Sequence, residues 1–371
     1  MVLLVPAVPA SAAIYTATFE TINGVFSGAT SGDTIAMTGT FGLTRLQDMV
    51  FTRGITLDAR QAVFTDTLEL VNLSGVRVLG GRFDIASRVT RDSAGAVVYG
   101  GTNIAFDAPT ILGNANESGI IFSGANSIRV TGGNFTGLDI GLNLSGVTNG
   151  FLSRNTFLKA ASDGIDIGNS HHVSATYNSC SGSAPVPGAH PDCIQLFSTP
   201  GRPLQSDNVV SDNIATGATQ GFTSFTNGDD TASGIRLSIM RNTVNTSYPQ
   251  GIACYGCIDS NISYNKVTTL AGSRFKTTIN ILGGMNNTVT GNTVGDMPAF
   301  RSDQSIDEEF DDESMSSSSA ASAAGNETRV ELPYESGPST VTEPGTWAML
   351  VAGFGLVGMA TRRRGLRIVA A

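Results

Sequence analysis

An all-β solenoid is the fold class this chain predicts, and three observations predict it. The first is a motif that recurs from about residue 120 to residue 294, a strand of the form Gly-Ile-x-Ile followed a dozen or more residues later by an Asn beside a second strand. Strand starts read as Gly119-Ile120, Gly137-Leu138, Gly164-Ile165, Cys193-Ile194, Gly221-Phe222, Gly251-Ile252 and Thr278-Ile279, with steps after the first of 27, 29, 28, 30 and 27 residues. A self-similar period of this size marks a repeat architecture. The second observation is period-two alternation: Ile165 and Ile167 flank Asp166, Ile194 and Leu196 flank Gln195, and Ile279 and Ile281 flank Asn280, the strand pattern rather than the 3.6-residue helical stripe. The third is composition. The 44 glycines, with abundant Asn, Ser and Thr, suit frequent turns and disfavour long helices.

Each coil then contributes short strands joined by turns, and coils stack at roughly 4.8 Å, so about ten coils make a rod on the order of 50 Å long. One coil buries little apolar surface by itself, and stacking supplies the core. The trailing asparagines, Asn134, Asn155, Asn178, Asn213, Asn242, Asn265 and Asn292, read as an amide ladder bonding up and down the stack.

With the opening stretch Ser31-Gly32-Asp33-Thr34-Ile35-Ala36-Met37, then Gly39-Thr40-Phe41 and Gly54-Ile55-Thr56-Leu57-Asp58-Ala59, the chain resembles right-handed parallel β-helix proteins of the pectate-lyase-like type over roughly residues 14–300. The resemblance implies architecture more than activity, because the fold hosts lyases, hydrolases, epimerases and plain binding rods.

The ends read separately. Residues 1–13 run Met1-Val2-Leu3-Leu4-Val5-Pro6-Ala7-Val8-Pro9-Ala10-Ser11-Ala12-Ala13, an apolar stretch with a small-residue cleavage site and no positive leader, the pattern of a signal-peptide remnant. An apolar first strand is the competing reading. Residues 301–341 hold the run Asp307-Glu308-Glu309-Phe310-Asp311-Asp312-Glu313 and the four serines Ser316–Ser319. Such a composition cannot bury enough apolar area to offset its ordering entropy, so it reads as a disordered spacer. Residues 342–371 place Glu343, Pro344 and Trp347 ahead of an apolar run ending at Ala360, then Arg362, Arg363 and Arg364. This segment resembles the PEP-CTERM sorting signal, with Thr342 where that family usually has Pro. The resemblance implies a Gram-negative host that makes exopolysaccharide, an exosortase-type processing enzyme as partner, transient inner-membrane anchoring through residues 347–360, and a final address at the cell surface or extracellular matrix. The basic residues just beyond the run fit retention of that end in the cytoplasm.

Charge agrees with an exported, non-nucleic-acid role. Of the net −9, much lies in residues 301–343, with eleven Asp/Glu against two Arg, while the first 300 residues hold sixteen Lys/Arg and twenty Asp/Glu. No basic patch suggests a nucleic-acid partner. Cys180 and Cys193 bracket the Pro/Gly-rich loop Ser181–Asp192. A disulfide closing it would contribute on the order of 3 kcal/mol. Cys254-Tyr255-Gly256-Cys257 reads as a local disulfide or as reduced packing cysteines. Two cysteine pairs with only three histidines make structural zinc improbable.

Candidate chemistry follows from stacking the coils. With Ile140, Ile167 and Leu196 aligned inward, Asp139, Asp166 and Gln195 project outward from adjacent strands, while Asp163 and Asp192 align just before theirs. The expected acid–base set is Asp163, Asp166, His190 and Asp192, and the expected substrate-binding set is Asp139, Lys159, Gln195 and Arg236. Parallel carboxylates repel across one strand spacing, and a protein that keeps them together shares a proton, binds a cation such as Ca²⁺, or uses them in acid/base work. All three suit action on an acidic or envelope polysaccharide as lyase, hydrolase or epimerase. Asp163-Gly164-Ile165-Asp166 resembles one piece of the polygalacturonase pattern, whose Gly-His-Gly and Arg-Ile-Lys are absent here. His190-Pro191-Asp192-Cys193-Ile194-Gln195 resembles a segment of bacterial β-helix proteins that carries no assigned reaction. The competing readings are acids that merely cap turns and a non-catalytic matrix, adhesion or carbohydrate-binding rod.

Overall fold

Alternation along each strand decides which side chains enter the core, and successive coils repeat the decision. The computed structural model, which describes residues 12–87, 93–185, 189–226 and 232–295, is a parallel β-solenoid of about 11 turns. Among the described residues one face is a ten-stranded parallel sheet, here the front sheet, which includes Ser118–Ser123, Leu142–Ser145, Ile165–Gly168, Asp192–Ser198, Gln220–Thr226 and Gln250–Tyr255 in that order. The other two faces join as one 21-stranded sheet. They join because the strand Val50–Phe64 turns a corner and pairs with both Ser74–Leu79 and Arg82–Asp84.

Inward residues form columns. Phe41, Phe64 and Phe83 are in register, with ring centroids 5.3 and 4.4 Å apart. The column continues through Ile111, Phe135 and Phe157, then narrows to Cys180 and Ala215. Corners between sheets carry left-handed residues in register, as at Gly137 (φ 64°) and Lys159 (φ 55°), which let the backbone turn within one residue.

The asparagine ladder is present. Asn155, Asn178, Asn213, Asn242, Asn265 and Asn292 are buried, and each of the first five donates from Nδ2 to Oδ1 of the next at 3.0 or 3.1 Å. Each Oδ1 also accepts the backbone N–H of the preceding ladder residue, as Asn213 Oδ1 does from Asn178 N–H at 2.8 Å. Asn134 is the exception. Gly133 occupies the ladder position, donating its N–H to Asn155 Oδ1, and Asn134 is exposed one residue later.

Two further features differ from the sequence reading. Residues Ile22–Gly28 form a short helix that lays Ile22 and Phe26 on the first coils, with Phe26 edge-on to Phe51 at 5.4 Å. A seven-residue helix is too short to show a clear helical period. The strand expected at Gly137-Leu138 begins instead at Leu142, because Gly137 is a corner. The true steps Gly119 to Gly141 to Gly164 are 22 and 23 residues, shorter than the later coils.

Disulfides join Cys180 to Cys193, Cα atoms 5.5 Å apart, and Cys254 to Cys257. The expectations for residues 1–11, for the 301–341 spacer and for the sorting segment with Glu343, Pro344, Trp347, Arg362, Arg363 and Arg364 lie outside the described residues. Among the described residues no helix is long and apolar enough to cross a membrane.

Candidate functional site

The register of the front sheet brings acids together. Asp166 stands directly beside Gln195 on the next strand, since Ile165 pairs with Ile194 and Ile167 with Leu196. Alternation points both away from the core, yet Asp166 is 0% exposed and Gln195 5%. Just before these strands the Asp192 N–H donates to Asp163 Oδ1 at 2.6 Å, and Ser162 Oγ donates to Asp163 Oδ2 at 3.0 Å. Asp192 is buried in turn, its Oδ1 accepting from Thr223 Oγ1 at 2.8 Å and its Oδ2 from Gln195 Nε2 at 3.4 Å.

Asp166 differs from its neighbours in having no fixed donor on either carboxyl oxygen. The group that reaches it is the Asp163 carboxyl. Two carboxyls can bond to each other only when one carries a proton. Burial first, then the charges of Asp163, Asp192 and Asp139, lift the Asp166 carboxyl well above the usual carboxylate range. Burial likewise pushes Asp163 up to about 7, against hydrogen bonds from Asp192 N–H and Ser162 that lower it. The arrangement therefore favours a proton held between the buried Asp163 and Asp166 carboxyls, beside the Asp192 carboxyl held by O–H and N–H donors, a combination suited to acid/base work.

Three expected residues, Asp139, Lys159 and Arg236, stand elsewhere. Asp139 is not in register with Asp166. That place belongs to Asn143, because the preceding strand starts at Leu142. Asp139 lies in the preceding turn, where its carbonyl accepts the N–H groups of Ser162 and Asp163, and its charge bears on both Asp163 and Asp166. Lys159 is an exposed corner residue and, among the described residues, forms no ion pair with the acids. Arg236 sits at a corner of the opposite sheets, bonded through Nε and Nη2 to both oxygens of Asp207 at 2.6 and 2.7 Å. Its signal, a cation in an Ile-Arg-Leu context, was local and could not report a corner. His190 is exposed at the end of the Ser181–Asp192 loop.

Residues the sequence reading missed complete the face. Gln220 is in register with Asp192, and Thr223 with Gln195. Beyond them Phe197, Phe225 and Tyr255 stand in register on consecutive strands. Phe225 and Tyr255 have ring centroids 5.1 Å apart, and the Tyr255 hydroxyl accepts from Gln250 Nε2 at 3.0 Å. Burial, then the Asp192 charge, raises the Tyr255 phenol. The signal for these was available: outward positions two residues apart on successive repeats carry Gln, Thr and aromatic side chains. Among the described residues no three His, Cys, Asp or Glu side chains are arranged to hold a metal ion. The oxygens of Asp163 and Asp192 are engaged by N–H and O–H donors, so no step is routed through Ca²⁺.

The fold and its tail define a parallel β-helix protein with a sorting segment. Residues 340–364 match the PEP-CTERM protein-sorting motif, which indicates export and sorting. No curated protein matches the chain by sequence. Among solved structures it is similar to an alginate lyase from Paenibacillus sp. str. FPU-7, with 13% identity over 74% of this chain and 99% of that one and a TM-score of 0.51. It is also similar to pectate lyase Pel9A, with 12% identity over 79% and 82% and a TM-score of 0.45. A third is the Streptococcus pneumoniae surface protein and adhesin PfbA, with 11% identity over 72% and 93% and a TM-score of 0.43. At these identities the likeness is one of fold.

Proposed function

We propose that the chain is an exported enzyme acting on an envelope polysaccharide, with Asp163, Asp166 and Asp192 as its acid–base groups. The observation that carries this reading is Asp166, wholly buried with both oxygens lacking a fixed donor beside two further carboxyls. Burying an unpaired carboxyl costs stability, and such a cost is characteristic of functional sites. In this reading an exosortase-type enzyme removes the C-terminal anchor after a transient inner-membrane stage, leaving the β-helix at a Gram-negative cell surface or in its matrix.

The test is Asp166→Asn, with Asp192→Asn beside it, assayed on a panel of polysaccharides for new reducing ends and for the ultraviolet absorbance of unsaturated product. Loss of turnover by about a hundredfold or more, with the fold intact by circular dichroism, is expected of general acid or base groups. The second reading is a non-catalytic rod, and the complete enclosure of Asp166 is the observation that favours it. A rod would show unchanged glycan retention in both variants and no turnover in the parent.

A further inference from the structure

We infer that the front sheet between Asp166 and Tyr255 takes an uncharged glycan and cleaves it by hydrolysis. The inference rests on the reading of this sheet as a polysaccharide site and narrows it. Three independent features of the face point the same way.

The first is its hydrogen-bonding sign. Asp166 Oδ1 and Oδ2, Gln195 Oε1, Gln220 Oε1 and Gln250 Oε1 are buried oxygens without a donor. The Gln195 and Gln220 side chains are more than nine-tenths buried, and the Gln195 amide is turned so that Nε2 meets Asp192 and Oε1 is left over. These groups stand on consecutive strands spaced at roughly 4.8 Å, so acceptors recur along the rod axis. Sugar hydroxyls are donors that recur along a polymer, and buried acceptors discriminate strongly against a ligand that cannot donate to them.

The second is charge. Among the described residues, from Asn143 to Tyr255 no Lys or Arg occupies an outward position of this sheet, and neither Asp163 nor Asp166 has an ion-pair partner there. A uronate carboxylate placed here would meet carboxyls and amide oxygens, with no Lys or Arg on these strands to offset its charge and His190 on the adjoining loop as the nearest basic side chain in sequence. Elimination from a uronate needs that carboxylate neutralised before the adjacent C–H proton can leave, and the strands of this face supply no Lys or Arg for the task. An uncharged sugar avoids the conflict.

The third is the aromatic column of Phe197, Phe225 and Tyr255, half-buried and parallel to the acceptors. Aromatic faces of this kind bind apolar surface while leaving polar edges free, which matches the C–H faces and hydroxyl edges of pyranose rings.

Hydrolysis then balances with groups on the face. Once the side chains over the face part to admit the glycan, the protonated Asp166 carboxyl, enclosed in the unliganded chain, gives its proton to the glycosidic oxygen as the anomeric C–O bond breaks. A water molecule supplies the oxygen that bonds to the anomeric carbon. Its released proton goes to the Asp192 carboxylate, which Thr223 and Gln195 hold in place.

The experiment incubates the purified exported chain with neutral polymers (a β-glucan and a galactomannan) and with alginate and polygalacturonate, each with and without added Ca²⁺. Reducing ends, unsaturated product and retention on glycan-affinity gels are read together. The expected result is new reducing ends from a neutral polymer only, without unsaturated product. Phe225→Ala should weaken retention about tenfold, the scale of one aromatic contact, and Asp166→Asn should retain glycan while losing turnover. Cleavage of a uronate polymer, with or without Ca²⁺, would overturn the inference and leave the polysaccharide reading standing. Retention of neutral glycan without turnover would overturn the hydrolytic step. No retention and no turnover on any polymer would overturn both readings.

Discussion

Asp166 is enclosed on the sheet face with both carboxyl oxygens short of donors, so the folded chain prefers its neutral acid to its carboxylate. Asp163 shows the consequence on a pH scale. Its carboxyl holds a proton to about 7 when folded, against an ordinary value of 3.8. Between those values the unfolded chain has released a proton that the folded chain retains, so stability falls as pH rises. The contribution is fully present below the ordinary value and lost by the time pH passes the folded one. The expected loss is on the order of a few kcal/mol, read as a lower denaturation midpoint at pH 8 than at pH 5. Asp166→Asn should raise stability at pH 8 and flatten the slope. A midpoint that climbs across that window would mean the cluster is ionised when folded. Asn213→Ala makes the opposite kind of change. Asn213 Oδ1 accepts from both Asn178 N–H and Asn178 Nδ2, and Asn213 Nδ2 donates to the Ala175 carbonyl at 2.9 Å. Its removal orphans several buried groups, each worth about 1–3 kcal/mol, so chemical unfolding should show a loss of about 3 kcal/mol or more. A loss under 1 kcal/mol would show that the ladder is not a structural spine.

Among elements, the strand starts explain why so much of the fold was legible and the site only in part. Gly recurs before Ile or Phe because a Cβ at Gly221 would overlap the Gly251 carbonyl oxygen, and one at Gly164 would press on Cys193 and Cys180. A steric demand repeated at every coil leaves a repeated residue, and the register of Asp166 with Gln195 followed from it. Where the demand was met by a differently sized coil the reading slipped, as at Gly137, and Asp139 was misplaced with it. Arg236 was misplaced because a corner residue obeys φ rather than alternation. Cys193 breaks the glycine series because the facing core column narrows from Phe157 to Cys180 and Ala215, leaving room that the Cys180–Cys193 bond fills. Replacing both cysteines by Ser should therefore cost about 3 kcal/mol or more, from lost loop constraint and from polar atoms left in an apolar column. Thermal unfolding with and without reductant checks this, and an unchanged midpoint would show that the bond adds nothing to the stacked coils. Gly221→Ala should be comparably damaging although it adds one methyl group.

At the scale of the whole molecule, the sequence divides its charge from its repeat. The first 300 residues are near balance, whereas eleven of the acids lie in residues 301–343, which run into the residues 340–364 that match the sorting motif. An apolar run followed by Arg362, Arg363 and Arg364 resists full translocation, so the chain should pause in the inner membrane until the segment behind Pro344 is removed. The exported form is expected to lack residues 345–371 by intact mass. Substituting Glu343 and Pro344 by Ala, or the three arginines by Ser, should leave a longer species in the inner-membrane fraction. The last described strand of the β-helix ends at Val294, well ahead of that segment. The same substitutions should therefore leave its melting transition and glycan retention unchanged in detergent extracts, which separates a sorting defect from a folding one. Recovery of a species carrying residues 345–371 from the outer membrane or the medium would remove the processing step from this account, while the acid cluster would keep its own tests.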